Sequence, residues 1–367
     1  MKRRALRISA VLATVTLGLA ACGSDGSDGE AAETPSTSTS SSAAGETTAA
    51  AESFGDISVQ LSWIKNAEFA GEFIADSKGY YADAGFGKVD LLTGPVAQEE
   101  IVATGKAQFG LSNSVSTAAA VANSGFPLKI VGATYQKNPF SILSLGDQGN
   151  ITTPADLKGK KIGVQDPNLS LFQAFLSANG LTEDDVTIVP NGFDIAPLED
   201  GEIDGLVAYM TNESLLVKGD GFDAVDLPFA DNGLPFVAET VITTDDIIAE
   251  QPDMVKAFLK AEIQGWKDAC NGETGYEEGA KLAVDTYGVD IDPALELDKE
   301  IEQARQQCEL LVHTDETATN GIFTISDAMI ADNIKSIAAS GIDIAPEDLF
   351  DMGPLNELLA EDPSLIG

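Results

Sequence analysis

Histidine occurs once in these 367 residues and cysteine three times. A lone His313 supplies neither an imidazole cluster for a metal nor the partner of a nucleophile, and at the end of a helical segment it suits a surface or helix-dipole role. No GxSxG, HExxH, Walker A or GxGxxG pattern occurs, and isolated carboxylates are too numerous to single out a general acid or base. Basic residues are scarce as well: 21 Lys and Arg face 59 Asp and Glu, a formal charge of −38. Such an excess repels phosphates and excludes nucleic acid as a natural partner. The acids are spread along the chain, which reads as solubility or adaptation to salt rather than as a cation site. Beyond residue 21 no apolar run approaches the roughly 20 residues of a membrane span.

What the chain does have begins at its amino end. Met1-Lys2-Arg3-Arg4 is a cationic start, Ile8 to Ala21 an apolar stretch too short to span comfortably, and Leu19-Ala20-Ala21 puts small residues before Cys22. The pattern resembles a bacterial lipoprotein signal, which implies cleavage before Cys22 and lipidation of its thiol; an ordinary secretory signal is the alternative. Removing Lys2, Arg3, Arg4 and Arg7 with that segment takes the formal charge to −42. From Gly23 to Glu52 there is no Val, Ile, Leu, Met or aromatic residue. Such a stretch buries too little to offset its ordering entropy and reads as a leash with a reach of about 30 Å.

With Cys22 assigned to lipid, Cys270 and Cys308 form an even pair in a compartment that permits disulfides. Cys270 continues a helical stripe of Leu259, Ile263 and Trp266; Cys308 lies on one with Ile301, Ala304 and Leu311. Both face inward, as a disulfide or as two separate buried thiols.

After the leash, strand and helix signals alternate. Strands are expected at Ile57 to Trp63, Val89 to Leu92, Phe109 to Ser112 and Leu128 to Ala133, with Phe140 to Leu145 leading out of this first unit. Thr153-Pro154-Ala155-Asp156 marks a strong helix start, followed by strands at Lys161 to Val164, Val186 to Val189, Gly205 to Tyr209 and Ala224 to Leu227. Thr240 to Thr243 reads as a return strand, and helices follow at Met254 to Cys270, Tyr276 to Tyr287, Pro293 to Val312 and Ser326 to Ser340. The alternation predicts α/β architecture with parallel, doubly wound sheets in two lobes. The expected division is signal at 1–21, lipidated Cys22 and linker to 53, first lobe at 54–146, second lobe at 147–240, and return with helical tail at 241–367.

In open α/β sheets ligands bind beyond the carboxyl ends of strands. Those positions hold Trp63, Asn66, Glu68 and Phe69; Ser112 and Asn113; Tyr135 and Gln136; Gln165; and Tyr209, Asn212 and Glu213. The set is rich in aromatics, amides and carboxyls, as in a pocket that stacks on a flat molecule and hydrogen-bonds its edge. Each member also has a structural alternative: Asn66 and Asn113 as caps, Glu68 and Glu213 as first-turn acids, Trp63 and Tyr209 as core. A nitrate or sulfonate pocket would call for basic groups, and these loops offer only Lys65 and Lys137.

Several segments resemble a known family. Trp63-Ile64-Lys65-Asn66-Ala67-Glu68-Phe69-Ala70-Gly71, Lys78-Gly79-Tyr80-Tyr81, Gly105 to Gly110, Pro154 to Val164 and Gly201-Glu202-Ile203-Asp204-Gly205 resemble the thiamine-pyrimidine-precursor and nitrate/sulfonate/taurine group of ABC-transporter substrate-binding proteins. Tyr209-Met210-Thr211-Asn212-Glu213 looks like the branch that takes pyrimidine precursors or flavins. The resemblance implies a two-lobed type II periplasmic-binding-protein fold with a helical carboxyl-terminal region. It implies capture of a small solute outside the membrane, no cofactor and no metal. The implied partners are an ABC permease with its ATPase subunits, met by a lipid-anchored monomer. Trp63, Phe69, Tyr135 and Tyr209 would stack; Asn66, Glu68, Gln136, Asn212 and Glu213 would orient. Nitrate, alkanesulfonate or taurine binding is one alternative. Another is a pyrimidine synthase like the fungal relatives, which consume their own histidine and use a cysteine-rich segment; nothing here matches that segment.

Overall fold

A computed structural model describes residues 53–192 and 194–366. The expected signal peptide, lipidated Cys22 and nearly all of the linker lie outside the described residues. Ten strands form two five-stranded sheets. The first holds β1 (Gly55–Gln60), β2 (Phe86–Leu92), β3 (Phe109–Asn113), β4 (Leu128–Tyr135) and, from much later in the chain, β10 (Ala238–Thr244), in the order β2-β1-β3-β10-β4. The second holds β5 (Phe140–Leu145), β6 (Lys161–Val164), β7 (Thr187–Pro190), β8 (Gly205–Tyr209) and β9 (Ala224–Pro228), in the order β7-β6-β8-β5-β9.

Each sequence-expected strand is present, with ends displaced by three residues at most, but two expectations are corrected. Neither sheet is wholly parallel: β10 runs antiparallel to β3 and β4, and β5 antiparallel to β8 and β9. The expected lobe boundary at 146/147 also falls too late, because β5 pairs in the second sheet. Both have one cause. β5 and β10 are the strands by which the chain crosses between sheets, through 136–139 and 229–237. Each enters its new sheet from the side where the parallel strands finish, so it must run the opposite way. Asn138 Nδ2 donates to Leu234 O at 2.9 Å and ties the two crossings together.

The central strands are buried on both faces, and their apolar side chains fill the cores. In the first lobe Phe109 stacks on Phe258 with ring centroids 4.0 Å apart; in the second Phe175 stacks on Phe229 at 4.1 Å. Nine helices of seven residues or more are found among the described residues: α1 (Ala70–Ser77), α2 (Ser114–Ser124), α3 (Leu169–Ala178), α4 (Glu213–Gly219), α5 (Pro252–Ala269), α6 (Gly272–Leu282), α7 (Leu297–Gln307), α8 (Asp327–Ala339) and α9 (Gly353–Glu361). The start at Thr153 has its capping box, with the Thr153 N–H donating to Asp156 at 2.8 Å, yet it opens a single turn, Pro154–Leu157, because Gly159 at φ 76° ends it. Cys270 and Cys308 are disulfide-bonded with Cα atoms 5.4 Å apart, joining the end of α5 to the end of α7.

α1 and α5 approach so closely that only glycine fits at Gly71 and Gly265: a methyl on Gly265 would run into the Gly71 carbonyl, and one on Gly71 into the Trp266 ring. Gly265→Ala is therefore expected to lower the unfolding free energy by about 2 kcal/mol by urea denaturation, overpacking outweighing the better helix propensity of alanine. An unchanged midpoint would show that the helices can part freely. Beneath this contact lie two buried carboxyls. Trp266 Nε1–H donates to Glu72 at 3.2 Å and the Tyr81 hydroxyl to Glu262. Burial raises both acids, Glu72 to about 7.

Candidate ligand-binding cleft

The parallel strands of both sheets end toward one cavity of about 850 Å³. Eight of the twelve sequence-expected ligand residues line it: Trp63, Glu68, Ser112, Asn113, Gln165, Tyr209, Asn212 and Glu213. Trp63 and Tyr209 are half-buried, with Tyr209 braced edge-on by Phe140 at 4.6 Å between centroids. Several polar groups are already engaged. Asn113 Oδ1 caps α2, accepting from the N–H groups of Val115 and Ser116 at 3.1 and 2.9 Å. Ser112 donates to Glu99. Gln165 Nε2 donates to Val207 O at 2.8 Å. Glu213 accepts from the Tyr209 N–H at 2.8 Å and from Asn212 Nδ2 at 3.1 Å, one bond to each oxygen.

The other four expected residues lie elsewhere. Phe69 is wholly buried and packs edge-on against Phe73 in the core of the first lobe, because the short turn Ala67–Phe69 points it away from the cleft. Tyr135 is also core; its ring meets the edge of Trp266 and its hydroxyl donates to Gln307 Oε1 at 2.8 Å. Gln136 belongs to the first crossing, with its N–H donating to Leu311 O at 2.8 Å and its side chain to Ala133 O at 3.0 Å. Asn66 is a buried cap whose Oδ1 accepts from the Glu68 N–H at 3.0 Å. It holds Glu68 in place without lining the cavity.

Sequence reasoning missed Phe140 and Glu239, which line the cavity from the first residues of the antiparallel strands β5 and β10. A rule that reads only carboxyl ends of strands passes over both. It also missed Ser62, the segment Val96 to Glu99, and Lys299. The Lys299 ammonium, on α7 behind the wall, donates to Asn212 Oδ1 at 2.6 Å, Glu300 Oε1 at 3.1 Å and Gln303 Oε1 at 2.5 Å. Glu300 Oε2 in turn accepts from the Ala67 N–H at 2.6 Å, so one buried chain of contacts links the loop after β1 to the start of α4 in the other lobe.

Electrostatically the cavity is a cluster of buried acids. Desolvation pushes Glu68 well above the ordinary carboxylate range, helped by Glu239; Glu213 is raised for the same first reason, and Glu239 reaches about 8. Glu68 Oε1 is buried with no hydrogen-bond partner in the protein. None of the described residues lining the cavity is Arg, Lys or His.

Residues 66–273, more than half of the chain, match the family model described as NMT1/THI5 like. The chain belongs to that family. Among relatives of this NMT1/THI5-like protein, the riboflavin-binding protein RibY of Chloroflexus aurantiacus is 26% identical over 62% of this chain and 67% of its own. The formylaminopyrimidine-binding protein of Halalkalibacterium halodurans is 25% identical over 60% of this chain and 68% of its own. The 4-amino-5-hydroxymethyl-2-methylpyrimidine phosphate synthase of Schizosaccharomyces pombe is 30% identical, over 52% and 58%. Of solved structures, the alkanesulfonate-binding protein SsuA of Xanthomonas axonopodis pv. citri bound to MOPS superposes with a TM-score of 0.60 at 17% identity, covering 81% of this chain and 96% of that one. The two-lobed binding-protein fold implied by the sequence is thus the fold of this NMT1/THI5-like chain.

Proposed function

We propose that this protein is the extracytoplasmic solute-binding component of an ABC importer and captures a small aromatic nitrogen heterocycle, a thiamine pyrimidine precursor or a flavin. The observation that carries the reading is the cavity itself: aromatic faces from both lobes, Trp63 and Tyr209, enclose an edge of carboxyls and amides with no basic side chain among the described residues of the lining. Aromatic rings accept flat molecules, and carboxyl oxygens accept N–H groups. A nitrate or sulfonate would meet Glu68, Glu213 and Glu239 with no cation in the lining to receive it. The names of the riboflavin-binding and formylaminopyrimidine-binding relatives point the same way. Closure of the two lobes around the solute would be the signal read by the permease and its ATPase subunits, with the protein held at the membrane by lipid on Cys22.

Against the synthase reading, Phe69 and the aromatic core occupy the turn beyond Trp63, and the sole histidine, His313, lies at the end of the 308–312 turn, outside the cavity lining. The test is a thermal-shift panel on the purified protein after unfolding and refolding to remove carried-over ligand. An aminopyrimidine or riboflavin at 100 times its dissociation constant is expected to add about 2.7 kcal/mol, with nitrate, taurine and alkanesulfonates adding nothing. Trp63→Ala should then cost about 1 to 3 kcal/mol of binding through lost stacking. Stabilisation by small anions alone would overturn the reading.

A further inference from the structure

This inference rests on the heterocycle reading and concerns the helix behind the cleft. Lys299, Glu300, Gln303 and Gln307 are spaced so that they share one face of α7. Glu300, Gln303 and Gln307 are at most 1% exposed, and the Lys299 side chain is 13% exposed. Such a buried polar stripe is costly, and apolar residues of similar volume would serve packing alone at least as well. Its bonds run to the two walls of the cleft. In the first lobe Glu300 Oε2 accepts from the Ala67 N–H at 2.6 Å and Gln307 Nε2 donates to Ala67 O at 2.7 Å, so the neighbour of Glu68 is held by both of its backbone polar groups. In the second lobe the Lys299 ammonium donates to Asn212 Oδ1 at 2.6 Å. An ammonium only donates, so Asn212 must turn its oxygen toward Lys299 and its NH2 group toward Glu213 Oε1, 3.1 Å away. The Tyr209 N–H holds the other carboxyl oxygen at 2.8 Å. With one bond on each oxygen, Glu213 keeps a second lone pair on each, a fixed pair of acceptors on the cavity wall.

We propose that Lys299 is a positioning residue for solute recognition: through the Asn212 amide it fixes the Glu213 carboxyl in the orientation that accepts the N–H groups of the heterocycle. Lys299 stands behind the wall, outside the cavity lining, and acts only through its neighbours. Glu300 and Gln303 hold the ammonium from the helix side, at 3.1 and 2.5 Å, and leave its remaining reach for Asn212. Without the ammonium nothing decides between the two faces of the amide. Turned over, Asn212 would set its oxygen against Glu213, acceptor against acceptor, and displace the carboxyl. The exocyclic amine of an aminopyrimidine and the imide N–H of a flavin are the donors that a carboxyl held in place would accept.

The test is a double-mutant cycle read by isothermal titration at neutral pH, with 4-amino-5-hydroxymethyl-2-methylpyrimidine and with riboflavin as probes. Lys299→Met and Glu213→Gln are each expected to weaken binding by about tenfold or more, the scale of one charge-assisted hydrogen bond. The double variant should bind no more than about threefold more weakly than Glu213→Gln alone, since the lysine then has no carboxylate left to place. A lysine that serves only the fold would lower affinity by the same factor whether residue 213 is Glu or Gln, and the two losses would multiply. Asn212→Leu removes the relay while Lys299 keeps Glu300 and Gln303, and its cycle with Glu213→Gln should be non-additive in the same way; it decides the matter if Lys299→Met does not fold. Unchanged affinity in Lys299→Met, or losses that multiply in either cycle, overturns the positioning role while leaving the heterocycle reading in place. Failure of both probes to bind the parent protein overturns the heterocycle reading and this inference with it.

Discussion

Lys299→Met is expected to lower the unfolding free energy by about 3 to 5 kcal/mol at neutral pH, the range for removing one partner of a buried ion pair. The Lys299 and Glu300 side chains are 13% and 1% exposed, and the ammonium 3.1 Å from Glu300 Oε1 also satisfies Asn212 and Gln303. Methionine fills much of the same volume, so the loss reports charge and hydrogen bonding rather than a cavity. The ammonium also favours the ionised forms of Glu68 and Glu213, so its removal raises both acids further. Urea denaturation of the purified variant measures the effect, and a loss below about 1 kcal/mol would show that Asn212, Glu300 and Gln303 find water or one another without it.

The second large effect is at the disulfide. Replacing Cys270 and Cys308 together by serine is expected to destabilise the protein by about 4 kcal/mol, from the chain entropy released by opening a loop with a sequence separation of 38 residues. Both sulfurs are buried, so the paired serines also bring hydroxyls into apolar surroundings. Because the bond fixes the end of α7, whose first turns carry Lys299 and Glu300, the double variant should also lose solute affinity. Equilibrium unfolding of variant and parent checks the first effect. A midpoint unchanged by the substitution would mean that α5 and α7 are held by packing alone.

The architecture was legible because it rests on local patterns: strand segments alternating with helical ones, capping residues and glycine stops placed all ten strands and the long carboxyl-terminal helices. Strand direction was not, since the pattern of Phe140 to Leu145 reads the same from either end, and direction follows from which lobe the chain has just left. The same gap explains the site. Residues after parallel strands, such as Trp63, Glu68, Gln165 and Tyr209, were found; Phe140 and Glu239, which begin antiparallel strands, were not. Glu239 did leave a signal as a lone acid in the apolar run Phe236 to Ile242. Lys299 left none, since one charge in Leu297-Asp298-Lys299-Glu300 looks like any exposed helix. Phe69 and Tyr135 were misplaced because an aromatic after a strand can turn to either side, and the turn at Asn66 and the ring of Trp266 decide it.

The position of β10 has a consequence for how the chain acquires its shape. It lies between β3 and β4, so the first sheet has a gap at its middle until residue 244 is available, whereas the second sheet is complete within one continuous stretch ending at residue 228. A polypeptide emerging from its amino end therefore finishes the later lobe before the earlier one. The first lobe waits through more than a hundred residues between β4 and its missing neighbour, a long-range closure of the kind that makes folding slow. Until then β3 and β4 present unpaired edges, the surfaces most prone to join another chain.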